Sequence, residues 1–190
     1  GYSSLLSSNE LSKIVKKFAV NTMVLTPSHF AALEIAKWDS GEITSLKHII
    51  LGGEKFPEKY ATKFKKVHPF VHLYNGYGPA EATSISTIHE YIPADNGVKP
   101  CVIGKAIDGL EVTVRDSKRN EVPMGVVGEL HIHGKSVAKG YINVETDTFY
   151  KSKEGIWSYS TGDFVIQKPD GIHYLGRRDN QIKYNGFRIT

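Results

Sequence analysis

Apolar residues recur in two different rhythms along this chain of 190 residues, and the rhythm changes near Pro93. Before that point the signals alternate between helix and strand. Ser7 with Glu10 three residues later forms a capping box, and Leu11, Ile14, Val15 and Phe18 follow at helical spacing. The run "TMVL" at 22–25 predicts a strand, and Ser28 caps a predicted second helix reaching about Trp38. "KHIIL" then predicts a buried strand that ends at Gly52 and Gly53. Pro57 suits the first turn of a helix to about Lys66, and "VHLY" predicts the next strand. This alternation implies an α/β fold with a parallel sheet, over residues 1–93. In such sheets ligands collect beyond the carboxyl ends of strands, where "LGGE" and "YNGYGPAE" both stand.

After Pro93 the pattern becomes period-two alternation punctuated by glycine. Strands are predicted at 110–116, 128–134, 136–142, 163–167 and 172–176. "KPDG" at 168–171 is a turn, with Pro169 setting the first central position and Gly171 releasing the exit. Residues 94–178 therefore read as a small antiparallel sheet or β-barrel-like subdomain. No internal repeat is visible.

Composition narrows the function classes. With 40% hydrophobic and 23% charged residues, the chain is globular in type and long enough for one large domain or two small ones. No apolar run reaches the roughly 20 residues of a membrane span, and the first residues lack a signal-peptide layout, so a cytoplasmic location without membrane partners is expected. The single cysteine, Cys101, has no partner for an internal disulfide and reads as a structural thiol. The net charge of +4 comes from short lysine clusters beside apolar residues, which fit solvated helix faces and argue against a nucleic-acid partner.

The stretch "YNGYGPAEAT" at 74–83 has candidate chemistry of its own. Gly76 and Gly78 allow a tight turn or a close ligand, Tyr77 offers a flat face for stacking, and Asn75 offers a donor and an acceptor. Glu81 is a hard oxygen ligand suited to Mg2+ beside phosphates. These residues describe a purine nucleotide site, or equally a packed loop holding a tyrosine. Downstream, Asp163 in "STGD" can accept hydrogen bonds from two adjacent ribose hydroxyls, and Arg177 can meet phosphate or ribose oxygens.

Four stretches, "NGYGPAEAT", "GELHIHGKSVAKGY", "YSTGD" and "GRRDNQIKYNGFRI", resemble in order and spacing the core motifs of adenylate-forming ligases, in particular the adenylation domains of nonribosomal peptide synthetases. The resemblance implies an adenine site at Gly52, Gly53, Glu54, Asn75, Gly76 and Tyr77, extended by Gly78, Pro79 and Ala80. It implies Glu81 as the Mg2+ ligand, Asp163 as the ribose-binding acid, and Tyr174 with Arg177 as further nucleotide contacts. Asp179 matches the hinge of the family's small C-terminal domain. Residues 179–190 would then begin that domain, with Lys183 and Gly186 on a hairpin lining the phosphopantetheine channel. Val24, Ile50, Gly52, Gly76, Ser84 and Ile85 would line the amino-acid pocket. The implied cofactors are ATP and Mg2+. The implied partners are an amino-acid substrate, a peptidyl carrier protein domain bearing phosphopantetheine, and the rest of the adenylation domain.

The resemblance has departures. Ala80 replaces the family's usual threonine and Thr190 its usual glutamate. The glycine-rich lysine loop that clasps pyrophosphate has no counterpart, so the chain reads as an internal piece that is inactive alone. D-alanine:carrier-protein ligases, acyl-CoA synthetases and a non-catalytic nucleotide-binding fragment are the competing readings. His131 and His133 share a strand face without a third ligand in the sequence nearby, and Gly-Lys-Ser at 134–136 lacks the first glycine of a phosphate loop. Neither is read as a site.

Overall fold

The computed structural model describes residues 8–33, 37–41, 43–93, 101–152, 154–178, 182–184 and 187–189. The chain forms two compact units, residues 1–75 with 90–97, and residues 76–89 with 98–190.

The first unit contains helices α1 (Ser8–Lys17), α2 (Pro27–Ala32) and α3 (Glu58–Val67). Its strands are β1 (Thr22–Leu25), β2 (His48–Gly52) and the start of β3 (His72–Tyr77). β1 and β2 run parallel, with Val24 opposite Ile50. Alternate residues of β2, Ile49 and Leu51, are fully buried and meet Val15, Phe30, Phe64 and Leu73 in one core. Phe30 and Phe64 pack edge to face with centroids 5.5 Å apart, which adds about 1 kcal/mol to their burial.

Several local expectations need correction. Phe18 lies beyond the end of α1 and is 66% exposed, because the helix stops at Lys17 and the chain turns through Ala19 at φ 48°. The N-cap of α2 is Thr26, whose hydroxyl accepts from His29 N at 3.3 Å. Pro27 needs no hydrogen-bond partner for its nitrogen, so the helix starts two residues earlier than a Ser28 cap would place it. The helix ends at Ala32, short of Trp38, which is buried outside it. The segment 75–77, expected to turn, continues β3.

The second unit begins with a 3-10 turn at Ala80–Ala82 and continues through strands β4 (Thr87–Glu90), β5 (Val102–Ala106), β6 (Leu110–Arg115) and β7 (Val127–Gly134). β8 (Phe149–Lys151), β9 (Trp157–Lys168) and β10 (Gly171–Arg177) follow. β11 (Ile182–Tyr184) and β12 (Phe187–Ile189) form a separate antiparallel pair. The main path runs β4-β5-β10-β9-β7-β6 with β8 on β9, and these pairs are antiparallel.

That path is open, so the barrel expectation is not met. Alternation reports which face is buried, whereas closure depends on the two edge strands pairing, which no alternation encodes. Residues 136–142 also fail to form a strand. Their amides bond locally and to the 3-10 turn, Val137 N to Gly134 O at 3.2 Å and Ala138 N to Glu81 O at 2.8 Å. The turn between Lys168 and Gly171 is present and sets the β9–β10 register.

Two irregularities shape β9 and β10. Between Glu129 and His131 of β7 stands one residue, Leu130, while β9 has three, Thr161 to Asp163, between the partners Ser160 and Phe164. The segment carrying Asp163 is thus a bulge of β9, with two extra residues relative to β7. A bulge between Tyr174 and Gly176 shifts the register of β10, so that Tyr174 opposes Val165 and Arg177 opposes Asp163.

Candidate functional site

Within the second unit, three side chains converge on one carboxylate. Asp163 is 5% exposed. Tyr77 donates its hydroxyl to Asp163 Oδ2, while Tyr174 Oη and Arg177 Nη1 both donate to Oδ1 at 3.2 Å. Arg177 also donates to the Thr161 carbonyl at 3.2 Å, and Thr161 Oγ1 accepts from Asp163 N at 3.0 Å. Without the bulge in β10, Tyr174 and Arg177, three positions apart, would point to opposite faces. Burial raises the Tyr77 phenol well above its ordinary value, and the neighbouring Asp163 charge raises it further. Tyr174 moves in the same direction for the same reasons. Both therefore remain protonated donors across the physiological range.

The Asp163 turn has a clamp beneath it. Thr161 Oγ1 donates to Leu130 O at 2.7 Å. Glu129 Oε1 accepts from Ser160 Oγ at 2.6 Å and from Gly162 N at 2.8 Å.

Glu81 sits on the 3-10 turn, 7% exposed, and accepts from the Tyr141 hydroxyl. A buried carboxylate oriented by one phenol is a suitable oxygen donor for Mg2+. Among the described residues no three His, Cys, Asp or Glu side chains gather, so an ion at Glu81 would take its other ligands from phosphate and water. The chain after Glu81 is strained, since Thr83 and Ser84 have φ of 61° and 76°. It folds back so closely that a Cβ on Gly78 would lie 2.1 Å from Ser84 O. Only glycine fits there. Pro79 caps the 3-10 turn, and Ala80 is exposed on it.

The other predicted residues lie on strands and on the loops that follow them. In the first unit, Val24 and Ile50 are neighbours on β1 and β2, Gly52 ends β2, and Asn75 is buried on β3. Gly53 follows β2, and Glu54 is tied to α2, accepting from Ser28 N and Ser28 Oγ at 2.9 Å each. In the second unit, Gly76 is buried, Ser84 exposed and Ile85 half-buried. A cavity of ≈ 660 Å³ in this unit is lined by other residues, among them Lys139, Tyr141, Val144, Phe149 and Trp157. Lys183 lies on β11 opposite Arg188. Ser7, Asp179, Gly186 and Thr190 are outside the described residues.

Thr161, Glu129 and Tyr141 support the site, and nothing in their residue types alone marks them for it. Each stands inside one of the four quoted motifs, which was the available signal. His131 and His133, stacked at 6.5 Å, are held by hydroxyls. His131 Nδ1 pairs with Tyr150 Oη at 2.7 Å, and His133 bonds Ser158 Oγ at 2.7 Å and Thr113 Oγ1 at 2.8 Å. Among the described residues no helix is long and apolar enough to cross a membrane.

Comparison with known proteins identifies the family. The family model described as AMP-binding enzyme matches residues 2–142. Surfactin synthase subunit 2 of Bacillus subtilis is 35% identical over 98% of this chain, and malpibaldin synthetase of Mortierella alpina is 37% identical over 97%. The chain spans only 5% and 3% of those relatives. The structure of an NRPS protein containing adenylation and PCP domains superimposes with a TM-score of 0.85 at 28% identity, over 99% of this chain and 39% of the other. The chain belongs to the AMP-binding enzyme family, and its likeness within that family is to the adenylation domains of nonribosomal peptide synthetases.

Proposed function

We propose that this chain contributes the ribose- and metal-binding part of an ATP-dependent amino-acid adenylation site. The observation that carries the proposal is the buried Asp163 carboxylate, held on the bulge of β9 and ringed by Tyr77, Tyr174 and Arg177. In this reading the two ribose hydroxyls bond Asp163, and the Tyr77 ring stacks on adenine once its hydroxyl leaves the carboxylate. Arg177 offsets negative charge on the nucleotide. Glu81 holds Mg2+, which when bound neutralises phosphate charge. Val24 and Ile50, side by side on β1 and β2, are assigned to a wall of the amino-acid pocket, with Gly52 leaving room beside them.

The reaction proposed for the full-length protein has two steps. A carboxylate oxygen of the amino acid attacks the α-phosphorus of ATP, and pyrophosphate leaves with the electrons of the broken P–O bond. A carrier-protein phosphopantetheine thiol, losing its proton, then attacks the acyl carbon and AMP departs. Lys183, on the β11–β12 hairpin, is assigned to the channel for that arm, and Asp179 to the hinge. The chain alone is expected to be inactive.

Amino-acid-dependent exchange of labelled pyrophosphate into ATP by the full-length protein tests this reading. The expected result is exchange with at least one member of an amino-acid panel, reduced about a hundredfold by Asp163→Ala. Exchange driven by fatty acids with transfer to coenzyme A, or no exchange with either substrate class, would overturn it.

A further inference from the structure

We infer that Glu129 is a positioning residue for nucleotide recognition, setting the turn that presents Asp163. The inference rests on the reading of Asp163 as the ribose-binding acid. Glu129 stands on β7, with a side chain 12% exposed, at the point where the bulge of β9 interrupts the β7–β9 register. A bulge of two extra residues loses ladder hydrogen bonds on its β7 side and would be loose there unless other groups took up its donors. Glu129 takes up one such donor, Gly162 N, and also holds the residue before the bulge. Its Oε1 accepts from Ser160 Oγ at 2.6 Å, before the turn, and from Gly162 N at 2.8 Å, within it. Its Oε2 lies 3.5 Å from Arg178 Nη1, and Arg178 N donates to Gly162 O at 2.8 Å.

One carboxylate therefore joins the Ser160–Gly162 segment to the end of β10, where Arg177 also approaches Asp163. Three contacts to a single charged group fix both strands that bear the recognition residues. Bonds of this charged kind are each worth more than neutral ones, so their loss allows the turn to relax. Glu129 itself faces the turn's backbone. Its effect on nucleotide passes through Asp163.

The test is calorimetric titration of the full-length protein with ATP and with 2′-deoxy-ATP, both with Mg2+. If Asp163 reads the ribose hydroxyls, the wild-type protein prefers ATP by roughly tenfold. Glu129→Gln keeps the shape of the side chain and removes its charge. It should reduce the preference to about twofold or less, and Ser160→Ala, removing one donor, should reduce it by a smaller factor. If both variants lower the melting temperature and leave the preference intact, Glu129 is structural only and the inference is overturned. Asp163→Asn separates the two levels. Loss of preference in Asp163→Asn but not in Glu129→Gln sinks this inference alone, while no preference in the wild-type protein sinks the ribose reading itself.

Discussion

Tyr77 and Asp163, 86 positions apart in sequence, are joined by a hydrogen bond from the phenol to Oδ2 of the carboxylate. A group that would contact adenine thus occupies the acid that would contact ribose. Nucleotide binding then has to exchange this bond for a ribose hydroxyl. Tyr77→Phe keeps the ring for stacking and removes the competitor. It should lower stability by about 1–2 kcal/mol and tighten ATP binding by roughly twofold to fivefold. Denaturant melts and ATP titration check the two signs. Weaker ATP binding in Tyr77→Phe would show that the bond does not compete.

Gly162 holds φ at 73°, and a Cβ there would stand 3.1 Å from Arg177 Nη2. Gly162→Ala therefore meets backbone strain of about 1–2 kcal/mol and also displaces the guanidinium. Lower stability together with several-fold weaker ATP binding is expected. Normal binding at lowered stability would separate the turn from recognition.

His131 gives the fold a pH dependence. It is 1% exposed, and burial, the main cause, with help from Arg115, His133 and Arg119, brings its pKa from 6.5 down to about 4. The folded state holds it neutral. Its contribution is thus complete above pH 6.5 and is lost as pH falls towards 4, by up to roughly 3 kcal/mol. Unfolding free energies measured from pH 7 to pH 4 should fall less steeply in His131→Phe than in the wild type. Equal slopes would remove His131 as the cause.

Glu54, assigned by resemblance to the adenine side, spends both carboxylate oxygens on Ser28. Glu54→Ala should cost about 1 kcal/mol of stability through the start of α2 and change ATP affinity by less than about twofold. A tenfold loss of affinity would give the carboxylate itself a nucleotide role.

These contacts show what the sequence could and could not carry. β2, α3 and the turn before Gly171 follow from neighbours a few residues apart, and their positions were legible to within a residue or two. The segment 136–142 alternates like a strand, but pairing decides strands, and its amides go elsewhere. The motifs marked Glu81 and Asp163. The bonds that orient them span 60 residues from Tyr141, and 33 residues separate Gly162 from the Glu129 that anchors its amide. Contacts at that separation leave no periodic trace in a single sequence. Each partner is an ordinary residue until the strands meet.

The β10 bulge makes the site sensitive to chain length as well as to residue identity. Leu175, 52% exposed, is the extra residue of that bulge, and because the bulge absorbs it Tyr174 and Arg177 stay in phase although three positions apart. Any side chain of ordinary size should be tolerated at 175. Deleting that residue would leave Tyr174 and Arg177 two positions apart in a regular strand and still on one face, whereas inserting one more residue between them, with the bulge absorbing only one, would turn Arg177 to the far side of the sheet and leave the acid without its cation. At this point the chain stores information as a count of residues, which a comparison of side chains alone would overlook.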